Sequence, residues 1–137
     1  MKKLIKLQVL SICLVASIQS FATEVEIFTD TAHPVMLDAE GDGVQVHYYN
    51  LDVGMNALSL VQQQLQKGVA NVDINTAKQV IISQQANLQQ LQGNFLVAQY
   101  GLNQYPAIVF DQKAVVYGYT SLGAALKEYQ TWQASNS

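Results

Sequence analysis

The stretch Tyr105-Pro106-Ala107-Ile108-Val109-Phe110, followed by Ala114-Val115-Val116-Tyr117-Gly118, carries the clearest structural signal in this chain of 137 residues. Both runs are short and rich in β-branched and aromatic side chains, and the residues between them have the length of a hairpin loop. Ala107–Phe110 and Ala114–Tyr117 are therefore predicted to be a pair of antiparallel strands. A proline at position 106 fits the start of a strand, where its missing N–H is tolerated.

The flanking segments extend this hairpin into an α/β pattern. Val25–Phe28 and Val44–Tyr49 alternate apolar and polar side chains, and we expect them to be parallel strands joined by a crossover. The residues from Thr29 to Pro34 are typical of a turn and a helix start, so a short helix is predicted in that crossover. A terminal helix is predicted after a cap at Thr120 or Ser121, and its apolar side consists of Leu122, Leu126, Tyr129 and Trp132.

Two amphipathic helices are predicted between the second strand and the hairpin. The first runs from Met55 to Lys67, before Gly68, and the second from about Asn75 to Leu102. Glycine costs about 1 kcal/mol relative to alanine in a helix interior, so Gly93 is expected to mark a kink or a break into two helices. The apolar face of the second helix, at helical spacing, consists of Ile81, Leu88, Leu91, Phe95, Ala98 and Leu102.

Residues 1–22 have the pattern of a secretory signal peptide. Lysines at positions 2, 3 and 6 precede an apolar run from Leu7 to Ile18, and Ser20-Phe21-Ala22 has the small-x-small pattern of a cleavage site. A run of about 12 apolar residues is shorter than the roughly 20 that a membrane-spanning helix needs. The pattern therefore favours cleavage over a membrane anchor, and predicts a single domain of residues 23–137 in the periplasm, with no transmembrane segment.

Composition excludes two functions for the predicted mature chain. Cleavage removes three of the seven lysines and none of the ten carboxylates, so the formal net charge changes from −3 to −6, and the chain has no arginine. Because affinity for nucleic acid comes largely from basic side chains that neutralise phosphates, direct nucleic-acid binding is not expected. The only cysteine, Cys13, lies in the signal peptide. Thiol–disulfide exchange by the mature chain is excluded, since it requires a thiolate.

No catalytic residue, cofactor site or metal site is predicted. His33 and His47 are the only histidines and do not form a ligand pair, and the chain has neither a Gly-x-Ser-x-Gly motif nor a glycine-rich phosphate loop. Asp30 or Thr31 is expected to cap the first helix. His33 as a ligand or proton carrier is the alternative. The seven tyrosines could form a contact surface or belong to the core and rim of the sheet.

The order of these elements resembles that of thioredoxin-like proteins. The resemblance implies a four-stranded mixed sheet with helices on both faces and a helical insert, and a cis peptide bond between Tyr105 and Pro106. The segment after the first strand lies where redox relatives carry their two cysteines. The residues expected to meet there and to bind a partner are Asp30, Thr31, His33, Pro34, Tyr105 and Pro106.

Three segments resemble more specifically a family of integrating conjugative element proteins: Val25–Val35, with Phe-Thr-Asp-Thr-Ala-His-Pro-Val, Tyr105–Phe110 and Val115–Thr120. These are small exported thioredoxin-like proteins associated with conjugation and type IV secretion. The resemblance implies a non-enzymatic periplasmic accessory role through contacts with other proteins of the apparatus. The alternative is a redox-accessory or chaperone-like protein that holds extended client chains in the groove beside Pro106 by strand addition. An uncharacterised enzyme is a third possibility.

Overall fold

The computed structural model describes residues 4–7, 22–39, 41, 43–67 and 74–136. The strands are β1 (Leu4–Lys6), β2 (Thr23–Thr29), β3 (Val44–Asn50), β4 (Ala107–Phe110) and β5 (Ala114–Tyr117). The helices are α1 (Leu51–Lys67), α2 (Ile74–Leu88), α3 (Leu91–Tyr100) and α4 (Leu122–Ser135). The bounds of β4 and β5 coincide with those predicted from the sequence.

The strands form one sheet in the order β1-β5-β4-β2-β3. β2 and β3 are parallel and β4 and β5 are antiparallel, as predicted, and β4 also pairs antiparallel with β2. The peptide bond between Tyr105 and Pro106 is cis. These features confirm the mixed thioredoxin-like arrangement. The predicted strand count is wrong by one. The additional strand, β1, lies in the segment interpreted as a signal peptide and pairs with the outer edge of β5.

Helices cover both faces of the sheet, as expected. On one face α4 contributes Leu122, Ala125 and Tyr129 to a cluster with Ile27 and Phe110, which we call the α4-side core. On the other face the buried residues of the α3-side core are Phe28, Leu51, Leu102, Ala107, Val109, Val115 and Tyr117, and Leu96, Val97 and Tyr100 pack against them. β4 lies between the two layers, which explains why all four of its residues are buried.

The short helix predicted in the β2–β3 crossover does not exist among the described residues of that segment, which are turns and loop. Its backbone groups bind distant partners. The Val35 N–H donates to the Tyr48 hydroxyl, and the Met36 N–H donates to the Thr120 carbonyl. Pro34 has no N–H to give to a helix. These tertiary hydrogen bonds replace the local ones on which a helix depends.

α1 begins four residues before the predicted Met55. The side chain of Asn50 accepts the N–H groups of Asp52 (3.1 Å) and Val53 (3.2 Å) and thereby satisfies donors of the first turn. The strand and the helix follow each other without a loop, so Asn50 ends β3 and starts α1.

The long second helix is broken in two, but not at Gly93. The break lies at residues 89–90, and Gly93 is buried inside α3 against Tyr49. The predicted apolar face is also wrong in part, because Phe95 is 75% exposed and Ile81 is 47% exposed. α3 instead turns Leu96, Val97 and Tyr100 toward the sheet. Glycine at position 93 therefore permits close packing of α3 against Tyr49 and does not bend the chain.

Several sequence predictions concern residues outside the described ranges. They include most of the apolar run from Leu7 to Ile18, the cleavage motif except Ala22, the cysteine at position 13, and the helix stop at Gly68. Among the helices that the structure describes, none has the length and hydropathy that crossing a membrane would require.

Candidate functional site

The sheet register brings the two predicted site segments to the same end of the molecule. Phe28 on β2 lies opposite Ala107 on β4 in the antiparallel ladder. Continuing that register past the end of β2 and the start of β4 places the residues that follow β2 beside the residues that precede β4. The segment beginning at Asp30 and the Tyr105-Pro106 dipeptide therefore lie at the same end of the fold, as the thioredoxin-like order implied.

Asp30 and His33 form a close pair in the turn after β2. The Nδ1 atom of His33 lies 2.6 Å from Oδ1 of Asp30, and the side chains are 57% and 28% exposed respectively. The hydrogen bond from His33 lowers the pKa of the Asp30 carboxyl. Thr29 adds a further restraint, since its hydroxyl donates to the backbone carbonyl of His33. The pair presents a carboxylate and an imidazole to solvent in a defined geometry.

Thr31 is held by the start of α1. Its N–H donates to Oδ2 of Asp52 at 3.0 Å, and its hydroxyl accepts from the side-chain amide of Asn50 at 3.2 Å. The predicted role of Asp30 or Thr31 as a helix cap is wrong, because no helix follows them. Asn50 is the cap, and sequence reasoning missed it together with Asp52. The signal was present in Asn50-Leu51-Asp52, an N-cap residue followed by an acidic first turn.

Tyr105 and Pro106 occupy the neighbouring loop. Pro106 is buried, and its carbonyl accepts the Gly118 N–H at 2.9 Å, which fixes the start of the hairpin. Tyr105 is 39% exposed. Partial burial raises the pKa of its hydroxyl above the ordinary value. The hydroxyl is a hydrogen-bonding tip on an aromatic ring. Pro34 is exposed on the other segment.

The two segments lie at the same end of the fold without being bonded to each other. In the part of the chain that the structure describes, no hydrogen bond, ion pair or ring contact joins His33 to Tyr105. Each is anchored separately, one through Thr29 and Asn50 and the other through Gly118. The arrangement is a surface composed of two separately anchored loops.

A buried carboxyl group lies inside the fold on the same strand as the site. Glu26 is only 5% exposed and accepts a hydrogen bond of 2.8 Å from the Tyr100 hydroxyl of α3. Burial raises its pKa above the usual value. Glu26 is buried because α3 covers this face of the sheet. Glu26 links α3 to the sheet and does not reach the exposed site surface.

Metal coordination finds no support in the described residues, among which no three His, Cys, Asp or Glu side chains converge to hold an ion. The exposed site offers one imidazole, one carboxylate, one phenol and a proline. These groups suit hydrogen bonding and aromatic contact with another molecule.

Comparison with known families assigns the chain. The family described as "Protein of unknown function (DUF1525)" matches residues 22–135, which include every element from β2 to α4. The chain belongs to the DUF1525 family. The family description itself names no activity.

Two further comparisons are limited in scope. No curated protein matches the sequence. Among solved structures, oxidoreductase NmDsbA3 from Neisseria meningitidis is similar with 14% sequence identity and a TM-score of 0.46, over 95% of this chain and 97% of that one. For this DUF1525 protein the thioredoxin-like assignment depends on its own strand order and hairpin.

Proposed function

We propose that this DUF1525 protein is a non-enzymatic accessory protein of conjugative transfer that acts in the periplasm through contacts with other proteins of the secretion apparatus. The first support is the resemblance of Val25–Val35, Tyr105–Phe110 and Val115–Thr120 to integrating conjugative element proteins. The signal-like pattern of residues 1–22 supports the location.

The observation that carries the proposal is the chemistry at the end of the fold where β2 ends and β4 begins. Where a dithiol oxidoreductase would need cysteines, this chain has Asp30, Thr31 and His33, and no cysteine follows position 13. Tyr105 is partly exposed beside them. Tyrosine supplies apolar area with a polar tip and is enriched in protein interfaces. The surface therefore has the means to bind a protein and lacks the means to exchange disulfides.

The role is tested by deleting the gene from a conjugative element and measuring transfer frequency. We expect transfer to fall in the deletion strain and to recover when the full chain, with residues 1–22, is supplied in trans. A deletion strain that transfers its element at the normal rate would show that the conjugation role is wrong.

The site is tested separately by capturing partners from mating cells with His33→Ala. The matched control is His47→Ala, since His47 is similarly accessible, with a side chain 41% exposed, but lies on β3 beside Glu24. We expect less partner to be recovered with the first variant and an unchanged amount with the second, with equal far-UV circular dichroism. Equal recovery with both folded variants would remove His33 from the contact surface without refuting the role.

A further inference from the structure

The outer edge of β5 is occupied by a segment that the predicted cleavage would remove. Leu4, Ile5 and Lys6 lie opposite Val116, Val115 and Ala114 in antiparallel register. The Leu7 N–H donates to the Lys113 carbonyl at 3.0 Å. Hydrogen-bonded pairs alternate along an antiparallel ladder, so the Ile5–Val115 pair exchanges hydrogen bonds, whereas the N–H of Lys6 points away from β5.

The side chains of this segment reach both cores of the domain. Leu4 packs against the α4-side core, and Leu7 packs against the α3-side core. Ile5 between them is 40% exposed. Successive residues of a strand face opposite sides, so two aliphatic residues three positions apart contact opposite faces of the same sheet. The edge of β5 thus accepts an extended chain with an aliphatic-x-x-aliphatic pattern.

Removal of residues 1–22 would leave the backbone N–H and carbonyl of Val115 without their strand partner. Among the described strands, only β1 pairs with this side of β5. An unpaired edge is a template for another strand, and the leucine positions at both faces would lose their occupants. An edge uncovered by export gains the ability to bind after the chain has left the cytoplasm.

We propose that, in the processed protein, the outer edge of β5 binds an extended aliphatic segment of a partner protein, antiparallel and with two aliphatic residues three positions apart. The inference rests on the proposed removal of the leader and is independent of the Tyr105 surface. A second copy of β5 does not fit this pattern. Its one pair of residues three apart is Ala114 and Tyr117, and the pairs that include a flanking residue are Lys113 with Val116 and Val115 with Gly118, so none of them consists of two large aliphatic side chains.

The test uses protein expressed with its own leader and purified from the periplasm, with its N-terminus determined. The probe is a fluorescein-labelled peptide with the sequence of residues 2–8, followed by fluorescence anisotropy. We expect saturable one-to-one binding to the processed protein and none to the uncleaved chain, whose own segment occupies the edge. Recovery of periplasmic protein that still begins at Met1 would overturn the proposal.

Two N-methylated peptides separate strand pairing from charge attraction, because both keep the same lysines. Methylation of the Ile5 nitrogen removes a ladder hydrogen bond and should weaken binding about tenfold or more, whereas methylation of the Lys6 nitrogen should change it little. Replacement of Leu4 or Leu7 by serine in the peptide should weaken binding, and replacement of Lys6 by serine should not.

Equal affinity of the two N-methylated peptides would overturn the strand-addition geometry. A processed protein that is dimeric and does not bind the peptide would assign the edge to a second copy and would also overturn the proposal. Neither result depends on transfer frequency, so failure of this inference is distinguishable from failure of the conjugation role.

Discussion

The hairpin β4–β5 and the helical insert α1–α3 bury their apolar residues to very different extents. All eight residues of the two strands are buried. By contrast, six of the ten exposed large hydrophobic residues in the described chain lie on the insert: Met55, Leu60, Leu65, Ile81, Ile82 and Phe95. Apolar residues therefore form core in the hairpin, whereas many of those in the insert are exposed on its surface.

The layers of the fold explain this difference. β4 has α4 on one face and α1 and α3 on the other, so neither face meets water. α2 lies against α1 and α3. One layer of helix separates it from the sheet, and no element of the described ranges covers the apolar side chains on its outer surface.

The largest expected effect comes from comparing Phe110→Ala with Phe95→Ala. Phe110 is fully buried and stacks on Tyr129 with ring centroids 4.6 Å apart, whereas Phe95 is 75% exposed. Truncation of a buried phenylalanine typically costs about 3–5 kcal/mol, and a surface substitution less than about 0.5 kcal/mol. Urea denaturation should show this contrast in the free energy of unfolding. Similar losses for both variants would contradict the burial difference.

Gly93→Ala should show that the insert is tightly packed at one point. A Cβ added to Gly93 would lie 2.5 Å from the Cβ of Tyr49, so α3 or β3 would have to move. Overpacking of this kind typically costs about 1–3 kcal/mol, although alanine favours a helix. A midpoint of thermal unfolding equal to or above that of wild type would show that α3 is free to shift from β3.

The starts of α4 and α3 provide a smaller contrast. The Ser121 hydroxyl oxygen accepts the Ala124 N–H at 3.2 Å, and its hydroxyl donates to Asp38 at 2.6 Å. α3 has no side-chain cap at Gln90. Ser121→Ala should lower the free energy of unfolding by about 1 kcal/mol, while Gln90→Ala should affect the hydrogen bond to Asn50 but no cap. Chemical denaturation of both variants checks the cap, and an unchanged Ser121→Ala protein would refute it.

The buried Glu26 predicts a pH effect of opposite sign to that of Asp30 and Asp38, whose carboxyl pKa values are lowered by hydrogen bonds. Because its pKa is raised in the folded state, its favourable contribution is complete below the unfolded value of about 4.5 and is lost as the pH rises through the folded pKa. Glu26→Gln mimics the protonated group. It should unfold with a higher free energy than wild type at pH 7, and the difference should shrink near pH 4.

The control for that titration is Glu128→Gln, on the exposed side of α4. It measures the effect of the same glutamate-to-glutamine replacement at an exposed position. If both glutamine variants follow the wild-type curve, the Tyr100 hydroxyl and the covering helix do not disfavour the Glu26 charge.

Local signals made the sheet predictable. β4 and β5 are short β-branched runs separated by a hairpin loop, and Ser121 is an N-cap at the correct position, so both were read from a few neighbouring residues. The crossover was misread because its backbone binds Tyr48 and Thr120, which are distant in sequence. The exposure of Phe95 was not predictable from helical spacing, which gives a face but not what covers it.

The position of the candidate-site segments was predictable, but their individual contacts were not. The predicted strand order brings Asp30 and Tyr105 to the same end of the sheet, and the observed register of β2 and β4 agrees with it. The sequence did not reveal that Asp52 binds the Thr31 N–H, because that contact depends on α1 starting at Leu51. The pairing of β1 with β5 was not predicted either, since the three residues Leu4–Lys6 carry no strand signal of their own.

The most direct test of the proposed contact surface compares Tyr105→Ala with Phe95→Ala in a transfer assay. Both variants remove an exposed aromatic ring, one in the loop before β4 and the other on the insert. A buried interface anchor typically contributes about 2 kcal/mol or more to binding. Transfer frequency is therefore predicted to fall with Tyr105→Ala and to remain at the wild-type level with Phe95→Ala, with both proteins folded by circular dichroism. Normal transfer with folded Tyr105→Ala, or a greater loss with Phe95→Ala, would contradict the account.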